Sequence, residues 1–563
     1  MPIKRKKNVK IVLTSFIILG YLFSLTGFIG LLTINSVMWN NETIRFRDSN
    51  NFTIYNKYYP GKRLKGAMIF HGFGEDQNTM RGISNELIRN DFHVFATDFS
   101  GHGRSTGVLD SQNTTNNDTL VEQVLEAKNL FKQLSGLEDD QIILIGHSMG
   151  ARAILQASTI DTNNVSSIIL IGGAVFIPEN ETDTWVDELG PTNPASNIQI
   201  ITGTWEDVLP PEEAIKVFNK LSNSSELLSD NQLCYKTTTS EDYNVELVII
   251  PRLLHSYEPI SPKVSANVLK FSLWEGETPT SSISKSINYY RLVFLLFLLS
   301  GLFLAVICAL GLLPPMQKEK VDLYKKKKVR ITNSKKYLLF KPLIWFGAYI
   351  IGIAFTALFF LLPVGKPFFT FIYLIPFSGS GIVMLTLHLL SKQPGMEGKW
   401  KPKKEILTIP KTTEVIILGI LFIFTTFLSS FLVNSSLYHI FPLNFRLLWL
   451  FIFSILAFPG FFFILTDSIE IRRSQKDAFQ KIFLNYLILF IPFLIMVLFI
   501  GVSGTLIYLP DGLHSLLVIL FVLLFGEVTN IVFIKPLYIS LMQSFLLFFL
   551  LTPRGPMLLN AIF

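Results

Sequence analysis

The residues best suited to chemistry stand in the segment GHSMG at 146–150, a Gly-x-Ser-x-Gly pattern. An apolar, strand-like run precedes this segment and a helical run follows it. A serine on a sharp turn between a strand and a helix presents its hydroxyl as a nucleophile at the top of a sheet. The two glycines let neighbouring backbone come close, and the N–H of Met149 opens a helix, where it can stabilise an oxyanion. We therefore predict that Ser148 is a catalytic nucleophile.

A second oxyanion donor is expected from the loop that follows an earlier strand. That loop reads HGFG at 71–74, and its glycines permit a sharp backbone bend. The N–H of Phe73 is the predicted donor. His71 is assigned a structural role in shaping this loop. His102 and Arg104, which lie in the polar loop after the next strand, are assigned to fixing that loop rather than to catalysis.

These loops need a sheet to position them, and the hydrophilic segment 36–288 has the required pattern. Short apolar runs alternate in it with helical stretches, which is typical of a mostly parallel α/β sheet. The predicted strands lie at 67–70, 94–97, 141–145, 167–171, 198–201 and 245–250, and the predicted helices at 78–89, 120–134, 151–158, 211–221 and 263–273.

Three segments together resemble the α/β-hydrolase superfamily: HGFGEDQNTM at 71–80, DFSGHGRSTG at 98–107 and IGHSMGARA at 145–153. Within that superfamily they are similar to the branch of monoglyceride lipases, lysophospholipases and serine-aminopeptidase-like esterases. The resemblance covers about 60–275 and leaves the C-terminal half unassigned. It implies a catalytic triad in the chain order serine, acid, histidine.

The resemblance implies an acid in the segment GTWEDVLP at 203–210. Such enzymes carry the acid three residues after the glycine and four before the proline, a spacing that Glu206 meets. Asp207 is the commoner residue type, so we favour Glu206 and keep Asp207 as the alternative. The interval to the next histidine is longer than the family usually has, which leaves Asp230 and Asp242 as further candidates.

His255 follows the last predicted strand and is the only histidine after the acid in this segment. The implied mechanism begins when His255 deprotonates Ser148, which attacks an ester carbonyl. The N–H groups of Phe73 and Met149 hold the oxyanion, and water then releases the acyl-enzyme. We expect no metal and no other cofactor, because no His, Asp, Glu or Cys cluster has the spacing of a ligand set.

The rest of the chain has the composition of a membrane protein. Mean hydropathy is +0.43, and 50 of the 563 residues are Phe. Residues 11–34 can cross a hydrocarbon core of ~30 Å at ~1.5 Å per residue. This run is longer than the apolar region of a secretory signal, and Trp39 stands at its far end, so an uncleaved helix is favoured over a signal peptide. Further apolar runs lie at 289–313, 338–362, 367–390, 414–433, 445–466, 482–509, 513–534 and, more weakly, 537–552.

Lys and Arg in the short loops predict the orientation of these spans. The loops after the second, fourth and sixth spans hold 9, 6 and 4 basic residues, whereas the alternate loops hold one Lys. Cytoplasmic loops carry the excess of basic residues, so the hydrophilic segment is outside. We therefore predict a basic cytoplasmic tail at 1–10, a first transmembrane helix at 11–34, an extracytoplasmic α/β-hydrolase domain at 36–288, and an all-α bundle of about seven or eight helices at 289–563. A multi-pass protein of the cell membrane is the expected localisation.

The formal charge of +7 is unevenly distributed along the chain. Residues 36–288 hold 19 basic and 32 acidic residues, and the remainder holds 30 basic and 10 acidic ones. The basic character therefore belongs to the membrane part, and no nucleic-acid partner is expected. Cys234 and Cys308 lie in different parts of the chain and are not expected to form a disulfide.

Two functions of different classes fit the sequence. The first is a membrane-embedded serine esterase or lipase acting on lipid-derived acyl esters, with membrane lipids as its surroundings. The second is a non-catalytic ligand-binding or regulatory domain attached to a transporter or sensor. The combination of nucleophile, oxyanion loop and histidine favours the first, and acyl transfer to an alcohol would use the same residues. The short segment 172–197, where this family inserts a cap, predicts a small cap and an open site.

Overall fold

A computed structural model describes most of the segment that carries the motifs. In the N-terminal half it covers 2–109, 118–161, 163–172, 195–206, 208–222, 234–240, 243–273 and residue 279. In the C-terminal half it covers 445–474, 518–527, 529–530 and 536–551, with short pieces between 289 and 423 and at 557–558. The alternative acids Asp207, Asp230 and Asp242, most of the predicted cap and most of the predicted spans lie outside these residues.

The hydrophilic segment forms one nine-stranded sheet, which confirms the predicted α/β architecture. The strands run in the order β1-β2-β4-β3-β5-β6-β7-β9-β8. Six strands, β4, β3, β5, β6, β7 and β9, are parallel to one another. The antiparallel strands lie at the two edges of the sheet, β1 and β2 at one edge and β8 at the other. The bounds are β1 Glu42–Arg47, β2 Thr53–Tyr59, β3 Gly66–Phe70, β4 His93–Asp98, β5 Ile142–His147, β6 Val165–Ile171, β7 Ala195–Gly203, β8 Cys234–Ser240 and β9 Tyr243–Ile250. The six parallel strands were predictable from the sequence, whereas the three antiparallel ones were not.

Helices cover both faces of this sheet. Those of the hydrophilic segment are α2 Arg81–Arg89, α3 Asp118–Ser135, α4 Met149–Ile160, α5 Pro211–Ser222 and α6 Pro262–Ser272. One face packs on α3, α4 and α5 through a core that includes Phe131, Ile154 and Phe218. The other face packs on α2 and α6 through Leu87 and Val264. Burying both faces explains why the parallel strands are continuous apolar runs.

The order of the strands reverses at β3, which fixes where a ligand can bind. β3 pairs with β4 on one side and with β5 on the other, and Phe70 lies opposite both Thr97 and Gly146. In open α/β sheets, ligands bind outside the carboxyl ends of the strands at such a switch point. The loop after β3, the loop after β4 and the turn after β5 therefore meet at one edge.

The glycines of the turn after β5 allow backbone to approach closely. A Cβ at Gly150 would lie 2.6 Å from the carbonyl oxygens of Phe70 and His71. A Cβ at Gly146 would lie 2.5 Å from the carbonyl carbon of Gly150. Both neighbours are backbone atoms, which cannot rotate away as a flexible side chain would. The two glycines of the motif are thus required by packing between β3, β5 and α4.

We expect Gly150→Ala to destabilise the fold by about 1–3 kcal/mol, because the new methyl group overpacks against the chain at 70–71. The same variant should show faster hydrogen–deuterium exchange of the backbone amides at 70–74 than the wild type. The matched control is Gly136→Ala, whose Cβ enters open space but at a φ of 71°. This control variant should lose about 1 kcal/mol of unfolding free energy, from backbone strain alone, and its exchange at 70–74 should equal that of the wild type. Equal exchange in both variants would contradict this account of the glycine.

Among the described residues outside the hydrophilic segment, five apolar helices have ten residues or more. They are α1 Pro2–Asn35, α7 Tyr289–Leu298, α8 Phe445–Ser474, α9 Val518–Glu527 and α10 Pro536–Leu551. Among the described residues, two stretches are long and apolar enough to cross a membrane, Ile11–Trp39 and Arg446–Thr466. The remaining predicted spans stay predictions.

Small residues let α1 pack closely against α7. A Cβ at Gly27 would lie 2.5 Å from the backbone of Leu298, and a Cβ at Gly30 would meet the ring of Phe294. The hydroxyl of Ser24 donates to the carbonyl of Leu298 at 3.4 Å. Interfaces between transmembrane helices are enriched in such small residues, because backbones can then come together and gain van der Waals contact.

Buried polar side chains connect α8, α9 and α10. Gln543 donates to the carbonyl of Val522 at 2.9 Å, and Ser544 donates to the carbonyl of Ser454 at 2.7 Å. Asn530 donates to the carbonyl of Leu465 at 3.3 Å. In an apolar medium such groups need protein partners, so these bonds act as packing contacts.

Candidate active site

Ser148 occupies the strained turn between β5 and α4. Its φ of 49° and ψ of −115° are rare for a residue with a side chain, and such backbone costs of order 1–3 kcal/mol. Its N–H donates to the carbonyl of Ile171 at 2.9 Å, which ties the turn to the end of β6. Met149 is the first residue of α4, so its N–H has no acceptor within the helix. The turn thus presents a partly buried serine beside a free helix N–H.

The loop at 71–74 lies directly beside this turn. A Cβ at Gly72 would be 3.2 Å from Cβ of Ser148. The side chain of His71 is completely buried, and its Nδ1–H donates to the carbonyl of Gly72 at 2.8 Å. Its Nε2 accepts the N–H of Phe99 at 3.0 Å. His71 therefore shapes the loop that carries Phe73, which is the structural role expected from the sequence.

His102 supports the same loop from the other side. Its Nδ1–H donates to the carbonyl of Ser100 at 3.0 Å, and its Nε2 accepts the N–H of Gly74 at 3.4 Å. Burial and the neighbouring His71 lower the pKa of His102 to about 3, so the ring is neutral and can accept a hydrogen bond. Arg104 ties its loop to β2: its backbone N–H donates to the carboxylate of Asp98 at 3.0 Å, and its guanidinium donates to the hydroxyl of Tyr55 at 2.5 Å.

Glu206 and His255 meet at the carboxyl ends of β7 and β9. Nδ1 of His255 lies 2.9 Å from Oε1 of Glu206, and both side chains are buried. The ring is turned so that its N–H does not point straight at that oxygen. Catalytic hydrogen bonds are often poorly aligned without substrate and tighten when it binds. The same Oε1 accepts the N–H groups of Val208 and Leu209 at 3.0 and 3.2 Å, which fixes the carboxylate.

Backbone hydrogen bonds join the turn of Glu206 to the loop of His255. The N–H of Thr204 donates to the carbonyl of Ile250 at 3.0 Å, and the N–H of Trp205 to the carbonyl of Leu253 at 3.2 Å. A Cβ at Gly203 would strike the carbonyl of Leu253. The glycine of the predicted acid segment is therefore needed for this close approach.

A third carboxyl, that of Glu258, lies between the two histidines of the site. Its Oε2 is 3.6 Å from Nε2 of His147 and 3.9 Å from Nδ1 of His255. The rings of His147 and His255 are tilted against each other with centroids 4.7 Å apart. Since His147 immediately precedes Ser148, this contact brings the base next to the nucleophile turn. A Cβ at Gly172 would strike Glu258, so only glycine fits there.

His147 is also paired with Glu75, from the oxyanion loop. Its Nδ1 lies 3.0 Å from Oε2 of Glu75, and that oxygen accepts the N–H of Gly72 at 2.7 Å. The buried His147 thus joins the loop after β3 to Glu258 and the loop after β9. A continuous series of contacts therefore runs from Glu75 through His147 and Glu258 to His255, past the turn of Ser148.

The pKa values of these groups follow from burial and pairing. Burial alone would lower the pKa of His147, but the charge of Glu75 and the close contact with Glu258 raise it to about 10. Burial would raise the pKa of Glu75 and of Glu206, but their histidine partners lower both. Glu258 is different: burial, together with the charge of Glu206, raises its pKa well above the usual value.

The pairing that lowers the pKa of Glu206 favours its ionised form, and this carboxyl faces His255. When His255 takes a proton it becomes a cation beside that carboxylate. A fixed countercharge at this position is what an acid residue contributes to a triad.

His147, His255 and Glu258 bring three potential metal ligands within 4.8 Å of one another, although nothing in their sequence spacing indicates it. A histidine that binds a metal must be neutral and offer a lone pair. Both ring nitrogens of His147 face carboxyl groups, and its pKa of about 10 keeps it protonated. The cluster is better described as an ion-paired network than as a metal centre.

Glu75, His147 and Glu258 were missed as functional residues in the sequence analysis. His147 stands in the Gly-x-Ser-x-Gly motif, but at a position that the motif leaves open. Glu258 lies three residues after His255, and a carboxylate at that spacing on a short helical turn is the one signal that could have indicated it.

A family model described as serine aminopeptidase, S33, matches residues 63–248, about a third of the chain. The protein phosphatase methylesterase 1 of Candida albicans is 27% identical over 113 residues, which are 20% of this chain and 30% of that protein. The monoglyceride lipase homolog of monkeypox virus is 28% identical over 131 residues, 22% of this chain and 45% of that protein. The chain spans less than half the length of these curated relatives.

Solved structures that are similar to part of this chain include two, from Pyrococcus furiosus and Butyrivibrio proteoclasticus. The Pyrococcus furiosus esterase Pf2001 is 15% identical with a TM-score of 0.32, and the match covers 42% of this chain and 93% of that one. Est1E from Butyrivibrio proteoclasticus, with ferulic acid bound, is 18% identical with a TM-score of 0.31, and the match covers 41% of this chain and 98% of that one.

The two candidate acids can be separated by substitution. We expect Glu206→Gln to lower kcat/KM for an ester by about 10³–10⁴-fold, because the imidazolium of His255 loses its countercharge and its preferred tautomer. Asp207→Asn is the matched control and should change kcat/KM by less than about threefold. The reverse pattern would assign the acid to Asp207.

The charged network should make stability depend on pH. The folded-state pKa of His147 is raised from 6.5 to about 10, so its stabilisation is complete below pH 6.5 and is lost as the pH rises towards 10. The raised pKa of Glu258 acts in the same direction. The unfolding midpoint, followed by tryptophan fluorescence in detergent, should fall over that interval. His147→Asn should be less stable at pH 6.5 and show a flatter profile; a parallel decline in both proteins would contradict the assignment.

Proposed function

Because residues 63–248 belong to the α/β-hydrolase superfamily, we propose that the chain is a membrane-embedded serine hydrolase that cleaves carboxylic esters, with lipid-derived acyl esters as its substrates. The observation that carries the proposal is the meeting of three sequence-predicted residues at one sheet edge. Ser148 stands on the strained turn, His255 packs on the residue before it, and Glu206 lies at ion-pair distance from His255.

In the proposed reaction, His255 accepts the proton of Ser148 as its hydroxyl oxygen attacks the ester carbonyl carbon. The N–H groups of Phe73 and Met149 donate to the resulting oxyanion. The protonated His255 gives its proton to the departing alcohol, and the acyl group stays on Ser148. His255 then takes a proton from a water, which attacks the acyl-enzyme and releases the acid.

Apolar side chains around the nucleophile support an acyl substrate. Phe73 and Met149 are partly exposed and pack against the sheet core, and Trp205, next to the acid, is 57% exposed. These surfaces offer contact to a hydrocarbon chain beside the oxyanion position. Tethering by α1 supports a substrate that resides in or near a bilayer.

Membrane embedding is supported by the exposed apolar surface of α1, which requires an apolar environment such as lipid. Its apolar side chains are largely exposed, with Ile11, Ile18 and Leu22 each more than half accessible. Its small-residue face is occupied by α7, a contact that a cleaved signal peptide would not retain. These features favour a permanent transmembrane helix.

Fluorophosphonate labelling of the full chain in detergent tests the proposed nucleophile. We expect the wild type to label and Ser148→Ala not to label, because the phosphonate attaches to an activated serine. His255→Ala should label more slowly by about 10²–10⁴-fold, the contribution of general base catalysis. Ser272→Ala, a buried serine at the end of α6, is the control and should label as the wild type. A folded wild type that does not label would point to the non-catalytic alternative.

A further inference from the structure

The membrane half contacts the hydrolase domain at the carboxyl edge of the sheet, beside the proposed active site. Arg446 is the second residue of α8 and only 4% exposed, and its Nη2–H donates to the carbonyl of Gly101 at 2.9 Å. Asp76 and Asp98 of the hydrolase domain attract its charge. Val108, a few residues further along, packs against the apolar core of α8, α9 and α10. The loop after β4 is therefore held by the bundle.

This loop in turn supports the oxyanion loop. Gly101 is followed directly by His102, whose Nε2 accepts the N–H of Gly74. Gly74 adjoins Phe73, the proposed oxyanion donor. Phe99, from the same loop, donates its N–H to His71 at the other end of the 71–74 segment. Two hydrogen bonds thus connect the loop after β4, which Arg446 contacts, to the 71–74 segment, which carries the proposed oxyanion donor.

A second contact between the two halves lies away from the site and provides a comparison. Arg89, on α2, donates from Nη2 to the carbonyl of Ile34 at 2.7 Å, and Asn85 donates to the same carbonyl at 3.3 Å. Met38, just after α1, is buried in the core under that helix. Arg89 and Arg446 therefore make the same kind of bond, a guanidinium to a backbone carbonyl, across the same boundary. Only the Arg446 contact leads to the oxyanion loop.

We propose that Arg446 is a positioning residue through which the membrane bundle holds the oxyanion loop in its working geometry. The inference rests on the proposed function, since it concerns the same site. A hydrogen bond between a charged donor and a buried carbonyl is stronger than a neutral one. A displacement of about 1 Å in groups that stabilise a transition state can cost about 10²-fold in rate. Losing the Arg446 contact is therefore expected to reduce turnover rather than substrate binding.

The test uses the full chain in lipid nanodiscs and p-nitrophenyl acetate, a water-soluble ester that does not need to be delivered from a bilayer. We expect Arg446→Ala to lower kcat by about tenfold or more with KM within about twofold of the wild type. Arg446→Lys should recover part of the loss, because it restores the charge facing Asp76 and Asp98 but not the planar guanidinium. Arg89→Ala, the matched control, should stay within about threefold of the wild-type kcat.

Hydrogen–deuterium exchange on the same proteins gives a readout that does not depend on turnover. Exchange at 71–76 and 99–106 should be faster in Arg446→Ala than in the wild type and unchanged in Arg89→Ala. An active wild type whose kcat and exchange are the same in both variants would overturn the role of Arg446 and leave the proposed hydrolase intact. A wild type without turnover would refute the proposed function, and unchanged exchange in Arg446→Ala would then refute the docking role as well.

Discussion

The pairing of β3 with β5 is the constraint on which the site depends. It puts the loop after β3 next to the turn after β5, and the glycines of that turn let α4 start directly against the carbonyl groups of Phe70 and His71. This contact brings the segment with Phe73 next to the start of α4 at Met149, as the proposed oxyanion site requires. The strained backbone of Ser148 is a consequence, because a chain that reverses so tightly against a neighbouring strand leaves no ordinary conformation for the residue at its apex.

Burial of ionisable groups around this turn imposes a second requirement, that of charge balance. Three carboxyls and two histidines lie within one connected cluster, and isolated ions in such a place would be too costly. The pKa shifts act in this direction: the charge of Glu75 raises the pKa of His147 to about 10 despite burial, and burial raises the pKa of Glu258 well above its usual value. The cluster also connects three parts of the proposed site, because Glu75 belongs to the loop after β3, His147 precedes Ser148, and His255 is the proposed base.

The sequence allows prediction of those parts in which residue type and spacing are themselves the constraint. Ser148 is recognisable because the turn needs glycines on both sides, and the parallel strands because burial on both faces makes them apolar. β1 could not be predicted from the sequence, because it is an edge strand whose mostly exposed side chains do not form an apolar run. Glu75 and Glu258 could not be predicted, because each is an ordinary acidic residue until folding brings it to His147. Spacing favours Glu206 over Asp207, but sequence alone cannot separate two adjacent carboxyls of like charge.

The contacts between the two halves bear on which ends of α1 and α8 lie next to the hydrolase domain. If the hydrophilic segment is outside, α1 must deliver the chain to it with its C-terminal end, and α8, as the sixth predicted span, must have its N-terminal end on the same side. The hydrolase domain binds the carbonyl of Ile34 near the end of α1 and Arg446 at the start of α8. Both helix ends thus lie beside the same domain, and this gives the inferred docking a geometric reason: the sheet edge with Ser148 sits where a helix end can reach it.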